Sequence, residues 1–264
     1  MAEYAVYQLD AFTLGPEHPF SGNPAAVCLL QSWLDDGVMQ AIAAENNLSE
    51  TAFCVATDAA HELRWFTPRV EVPLCGHATM ATAWVVFHKT THFGDTVTFR
   101  TKSGPLTVIR SGERLSMDFP ALRTRQHTVP DALARALGAV PMGCRRGDTD
   151  YVAIFESEDE IRGLKPDFAA IGALDRPGLI VTAPGRDCDF VSRYFAPAKG
   201  VNEDPVTGRA HCVLAPYWSE RLARPVLDAR QLSPRGGAVG CTVAGDRIIL
   251  TGQVTPFLEG VIRL

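Results

Sequence analysis

Two short segments of this chain gather polar side chains around a glycine at the point where a strand gives way to a helix. Cys75 and His77 flank Gly76 in the first; Asp204, Thr207, Arg209 and His211 surround Gly208 in the second. The first turn of a helix leaves backbone N–H groups unpaired, and such groups attract carboxylate or phosphate. Two helix starts facing one cleft would form an anion site lined by amide donors. Each glycine also has a plainer reading, a tight turn into a packed helix, and the recurrence of the arrangement brings the anion reading level with it.

Glu45 adds a group that can move protons. It lies in AAENNLSETAF at the end of a helix expected over Asp35–Asn46. An acid at a helix C-terminus opposes the macrodipole. A carboxylate partly desolvated beside Ala43, Ala44 and Leu48 would have its pKa raised toward the range useful for acid–base work. From local sequence alone a solvated surface glutamate is the plainer reading. Asp204 precedes Pro205, which favours extended backbone, and an ordinary turn aspartate fits there too. Cys75 with His77, and His211 with Cys212, are metal-ligand types, but neither pair has the sharper spacing of CxxC or HxxxH. A structural metal is therefore not expected from these pairs. GxSxG does not occur, so Ser/His/Asp hydrolysis has no motif here. Nucleophilic chemistry through Cys75 and His77 stays open.

The elements that must position these residues come in two sets. RWFTP at Arg64–Pro68 is echoed by RYFAP at Arg193–Pro197, and EVPLCGHATMATA at Glu71–Ala83 by EDPVTGRAHCVLA at Glu203–Ala215. GERLSMDF at Gly112–Phe119 parallels GDRIILTG at Gly245–Gly252. Three echoes in one order argue for two similar halves with a cleft between them. In the first half, strands are expected at Tyr4–Leu9, Ala25–Leu30, Thr51–Thr57 and Glu62–Phe66, then at Thr96–Arg100, Leu106–Ile109 and Arg114–Phe119. The segment His77–Phe87 is apolar or small almost throughout, and a helix apolar all round belongs inside something. In the second half, a helix over Pro130–Leu137 precedes strands at Tyr151–Phe155, Leu179–Thr182 and Asp189–Phe195. A second internal helix is expected over Ala210–Arg221, then strands at Pro225–Ala229, Ala238–Val243 and Arg247–Thr251, and a last one, Phe257–Leu264, that crosses back to the first domain. This pattern predicts an α+β fold of two barrel-like domains, 1–120 and 121–264, each a curved sheet around a central helix. GxGxxG and the P-loop signature are both absent, which disfavours an alternating βαβ fold.

Composition narrows the class. A net charge of −5 and the lack of basic stretches interleaved with aromatics give no nucleic-acid footprint. MAEYAVYQLDAF lacks a basic region followed by an apolar run, so a signal peptide is not expected, and no apolar run is long enough to predict a membrane span. Seven cysteines without a CxxC pair point to reduced thiols and a cytoplasmic protein.

LDAFT at Leu9–Thr13, SGNPAAV at Ser21–Val27, AAENNLSETAF at Ala43–Phe53, RWFTPRVEVPLCGHAT at Arg64–Thr79 and EDPVTGRAH at Glu203–His211 together resemble the PhzF-like phenazine-biosynthesis isomerase family, within the diaminopimelate epimerase fold. The resemblance implies pseudo-symmetric domains with the active site between them, and cofactor-free, metal-free proton transfer at a carbon. The activity it implies is similar to that of trans-2,3-dihydro-3-hydroxyanthranilate isomerase. Glu45 matches the family's acid/base residue; Gly76 and His77 match one substrate-binding turn; Asp204, Gly208 and Arg209 match the other. A homodimer is implied as well. Two departures bear on substrate. Epimerases of this fold use a cysteine at each turn, whereas here Cys75 stands at the first and Thr207 at the second. Phenazine enzymes carry serine where this chain has Arg209, whose charge either pairs with a further acidic group on the substrate or faces solvent. A racemase or epimerase using Cys75 with another base, and a non-catalytic metabolite-binding protein, are the alternatives.

Overall fold

Short β-branched and apolar runs, broken by Gly, Pro and Asn, fold here as strands around two apolar helices. The computed structural model describes residues 2–56 and 61–264. Thr57, the last residue of one expected strand, lies outside the described residues. The chain divides into two units, Met1–Asp118 with Thr251–Leu264, and Phe119–Leu250.

In the first unit β1 (Glu3–Ala11) pairs antiparallel with β2 (Asn23–Leu30). Helix α1 (Asp36–Asn46) leads to β3 (Glu50–Ala56), parallel to β2. β4 (His61–Phe66) returns antiparallel to β3, and the short β5 (Glu71–Val72) folds back on β4. After helix α2 (Gly76–Lys89), β6 (Thr96–Thr101) joins β4 in parallel. β7 (Gly104–Ser111) and β8 (Arg114–Pro120) follow antiparallel. The chain's last strand, Arg247–Arg263, pairs with β8 and with β1. Among the described residues this closes a ring of eight strands, and α2 is buried along nearly its whole length. The hydroxyls of Thr79 and Thr82 bond to the carbonyls of Cys75 and Ala78 at 2.6 and 2.7 Å, so the core helix carries polar atoms without stranding them.

Helix α1 lies outside this ring and packs Met39, Ile42 and Ala43 against Cys28, Phe53 and Phe66. Arg64 fixes its start. The guanidinium bonds Glu71 through Nε at 2.8 Å and Nη2 at 2.9 Å, and Asp36 through Nη1 at 2.8 Å. Those bonds hold Glu71 down to about 2.

The second unit begins with β9 (Arg125–His127), α3 (Asp131–Leu137), and β10 (Gly143–Arg146), which pairs antiparallel with β9 and with β11 (Asp150–Ile154). Two short helices follow, α4 (Glu158–Gly163) and α5 (Phe168–Gly172), and then β12 (Gly178–Pro184) runs parallel to β11. β13 (Phe190–Ala196) returns antiparallel to β12 and receives the short β14 (Val201–Asp204). After helix α6 (Gly208–Leu222), β15 (Val226–Gln231) lies parallel to β13, and β16 (Gly237–Ala244) leads into β17, the last strand. The order β12, β13, β14, α6, β15 thus repeats the pairings of β3, β4, β5, α2, β6. The echo extends to side chains, since Arg193 grips Glu203 through Nε and Nη2 at 2.7 and 2.9 Å as Arg64 grips Glu71.

Arg247–Thr251 and Phe257–Leu264, expected as separate strands, are parts of one strand. Pro256 breaks the sequence pattern without ending the ladder, because a bulge opposite Gln8 and Leu9 takes up Phe257 and pairing resumes at Leu258.

Candidate active site

The segment from Ala43 to Thr51 is built residue by residue to turn α1 into β3. Asn47 takes the left-handed conformation at φ 48° and its N–H bonds Ala43 O at 3.1 Å, a position that asparagine tolerates. Asn46 Nδ2 donates to Thr51 Oγ1 at 3.0 Å, and Ser49 Oγ to Asn23 Oδ1 at 3.1 Å. Gly22, just before Asn23, has φ 86°, and a Cβ there would lie 2.6 Å from Ala11 O, so only glycine fits.

Glu45 occupies the last turn of α1, on the flank of the stripe that faces the sheet, and it is exposed. Ala44 beside it is exposed as well. The partial desolvation expected from Ala43, Ala44 and Leu48 is therefore not present: Ala43 turns inward with Met39 and Ile42, and Glu45 does not. The carboxylate makes no hydrogen bond or ion pair with the described residues.

Its neighbour in the motif, Glu50, is spent differently. At the first position of β3 its Oε2 lies 3.1 Å from His77 Nε2. The other face of the ring meets Cys75, with Sγ 3.5 Å from Nδ1. Carboxylate, imidazole and thiol thus cluster at the start of α2. Cys75 is the residue before the helix and His77 its second residue, which brings both to one side of the turn. Burial pushes the Cys75 thiol up to about 11, with the Glu50 charge adding to it and His77 opposing. Burial also opposes charge on His77, but the Cys75 sulfur and the Glu50 carboxylate outweigh it and hold the imidazole well above its ordinary value. With Cys75 still a thiol near neutrality, Glu50 supplies the negative charge that keeps the imidazolium. Burial raises Glu50 too, and His77 more than reverses that. Both ring nitrogens of His77 face protein groups, and the ion pair is a buried one.

Gly76 opens α2 and Gly208 opens α6. Neither has a left-handed φ, so the turns alone do not demand glycine. A Cβ on Gly208 would meet only Leu250 Cδ1, at 3.4 Å. Neither helix start is closed by a side-chain cap, which leaves the first amides of each to other acceptors.

Around Gly208, the Thr207 hydroxyl donates to Asp204. Thr207 N–H donates to Gln231 Oε1 at 2.8 Å, and Gln231 Nε2 to Asp204 O at 2.7 Å. These bonds hold the DPVTG turn. Arg209 neither lies flat in solvent nor sits unattached. Its Nη2 donates to Thr149 Oγ1 at 2.7 Å and its Nε lies 3.4 Å from Asp150 Oδ2, with 45% of the side chain exposed. Asp150 also accepts from Tyr194 Oη at 3.0 Å, and Lys199 Nζ donates to the same Oη at 3.0 Å.

His211 is fully buried and donates Nδ1–H to Thr207 O at 2.8 Å. Burial pushes its pKa down to about 4, and it serves the helix start as a neutral group. Sequence reasoning did not find Glu50, Asp150, Tyr194 or Lys199. Glu50 and Asp150 meet partners far along the chain, and no motif marks the contact between Tyr194 and Lys199.

Comparison with known proteins matches residues 9–260 to the PhzC-PhzF model, described as phenazine biosynthesis-like protein. An uncharacterized isomerase of Pseudomonas aeruginosa is 49% identical, covering 99% of this chain and 100% of its own. A PhzF-family phenazine biosynthesis protein of Enterococcus faecalis superimposes with a TM-score of 0.96 at 44% identity, each chain covered in full. A hydroxyproline epimerase of Agrobacterium vitis aligns over 98% of this chain and 92% of its own, with a TM-score of 0.62 at 9% identity, and so shares the fold.

Proposed function

The chain belongs to the PhzC-PhzF, phenazine biosynthesis-like family, and from that premise we propose that it is a cofactor-independent isomerase that moves a proton between carbons of a small carboxylated metabolite. Glu45 takes the proton from one carbon and returns it to another. Backbone N–H groups at a helix start receive the substrate carboxylate, Gly76 opening α2 and Gly208 opening α6 so that each start allows close approach. His77 and Asp204 orient the substrate, and Arg209 contributes charge at the second turn. Removing a carbon-bound proton builds negative charge, which pre-aimed amide donors and a fixed imidazolium stabilise.

The observation that carries the reading is the contrast within one motif. Glu50 is consumed by His77, whereas Glu45 is exposed and uncommitted, as a carboxylate that must meet a substrate has to be. A second reading, racemization or epimerization at one carbon, draws on the cluster of Glu50, His77 and Cys75, which places a thiol next to an imidazolium. Thr207 at the other turn argues against a two-thiol version, because a hydroxyl is far too weak an acid to act as the opposing base.

Incubation in D2O with a panel of unsaturated, hydroxylated and amino carboxylic acids separates these readings. Isomerization gives a shifted double bond with deuterium at the new C–H position. Epimerization gives deuterium at the original stereocentre. A panel bound without any C–H exchange would leave only a binding protein of this fold.

A further inference from the structure

We propose that Glu50, Cys75 and His77 form a binding site for a thiophilic divalent cation such as Zn2+. A carboxylate oxygen of Glu50, the sulfur of Cys75 and a ring nitrogen of His77 all lie within 4.8 Å of one another. His77 Nε2 lies 3.1 Å from Glu50 Oε2 and 4.0 Å from Cys75 Sγ. An ion held between these atoms needs only small side-chain movements to reach the usual Zn–N, Zn–S and Zn–O lengths. Sulfur, imidazole and carboxylate together select Zn2+ over Mg2+ or Ca2+. Three protein ligands leave a fourth position open, as in sites that exchange water or substrate.

A second observation concerns Glu50 itself. Its Oε2 is buried and, although close to His77, has no hydrogen bond aligned on it, so a buried acceptor is left short of a partner. Loading the site would release to solvent any proton held on the liganding sulfur and ring nitrogen. The positive end of α2 opposes a cation, and the two anionic ligands offset it. The sequence shows only the Cys75-x-His77 part of this set; the third ligand comes from another strand. His211 and Cys212 gain no such third ligand among the described residues, and His211 Nδ1 is already taken by Thr207 O.

The site does not depend on the isomerase reading. Chelator-stripped protein titrated with Co2+, and separately with Zn2+ under equilibrium dialysis, tests it without any turnover measurement. One ion per chain is expected, with a thiolate-to-Co2+ charge-transfer band that Cys75→Ser abolishes. Cys75→Ser and Glu50→Gln should each weaken Zn2+ by more than the roughly 10–100-fold that loss of an outer-shell partner costs. Cys188→Ser should bind as the parent does, and thermal melts establish that each variant is folded. Absence of the thiolate band, its survival in folded Cys75→Ser, or binding well below one ion per chain would overturn the proposal. An inactive protein that still bound one ion through Cys75 would sink the isomerase reading and leave the site standing.

Discussion

Glu45 and Glu50 share one short motif and live in opposite environments. Glu50 is pulled below the ordinary carboxylate range and His77 is held above the ordinary imidazole range. The depressed carboxylate stabilises the fold above its unfolded pKa and loses that effect as pH falls through its folded value. The raised imidazole stabilises below its unfolded pKa and loses that effect as pH rises through its folded value. The pair therefore contributes fully between the ordinary values of 4.5 and 6.5 and fades on either side. Glu50→Gln should cost about 2–3 kcal/mol in that window, less than a fully buried pair because Glu50 keeps 19% of its side-chain exposure. Denaturant melts across pH give the cost, and it should shrink at both ends. The His77 resonance in NMR should titrate at lower pH in the variant than in the parent, since burial is then opposed by Cys75 without the Glu50 charge. The AAENNLSETAF motif was legible as a unit. That Glu50 rather than Glu45 is the partly desolvated carboxylate was not, because the deciding group, His77, arrives from a different element.

At the scale of elements, glycine plays two distinct roles. Gly22 is required by backbone, with φ 86° and Ala11 O crowding any Cβ. Gly22→Ala should destabilise by about 2–3 kcal/mol, measured by thermal or chemical unfolding. Gly208 carries no such demand, and Gly208→Ala should change stability by less than about 1 kcal/mol. If a ligand carboxylate approaches the start of α6, that same variant should bind it more weakly in calorimetry; unchanged affinity would detach Gly208 from the site. Helix α2 could be read from its all-round apolar composition, and α6 from its place in the repeat. Most of the strands could be read from apolar runs between turn residues. The short strands β5, β9, β10 and β14 and the helices α4 and α5 could not, since a few residues hold too little periodic pattern. Pro256 misled for a related reason, as it pairs with Leu9 and the ladder continues past the bulge at Phe257 only because β1 is there to pair with.

The whole molecule is a plan used twice, and the sequence echoes mark the parts the plan cannot lose. RWF and RYF each carry the arginine that clamps the glutamate of the returning short strand, and that arginine also stacks over Phe66 in one unit and Phe195 in the other. Gly112 and Gly245, in the third echo, both take left-handed φ in the turns before β8 and β17. Arg193 and Glu203 are the more enclosed pair, at 11% side-chain exposure each against 15% and 21% for Arg64 and Glu71. Glu203→Gln should accordingly cost about 3 kcal/mol and Glu71→Gln about half of that, in parallel chemical-denaturation curves. What stayed illegible at this scale is the substrate, because Arg209 is held by Thr149 and Asp150, residues no sequence spacing connects to it. The central claim is that the Glu45 carboxylate itself carries the proton. Its most direct test is the rate of solvent-deuterium transfer into a substrate carbon, compared between parent and Glu45→Gln by mass spectrometry, with thermal melts matched. The account expects transfer to fall by about 10²–10⁴-fold while carboxylate binding holds; undiminished transfer in the folded variant would contradict it.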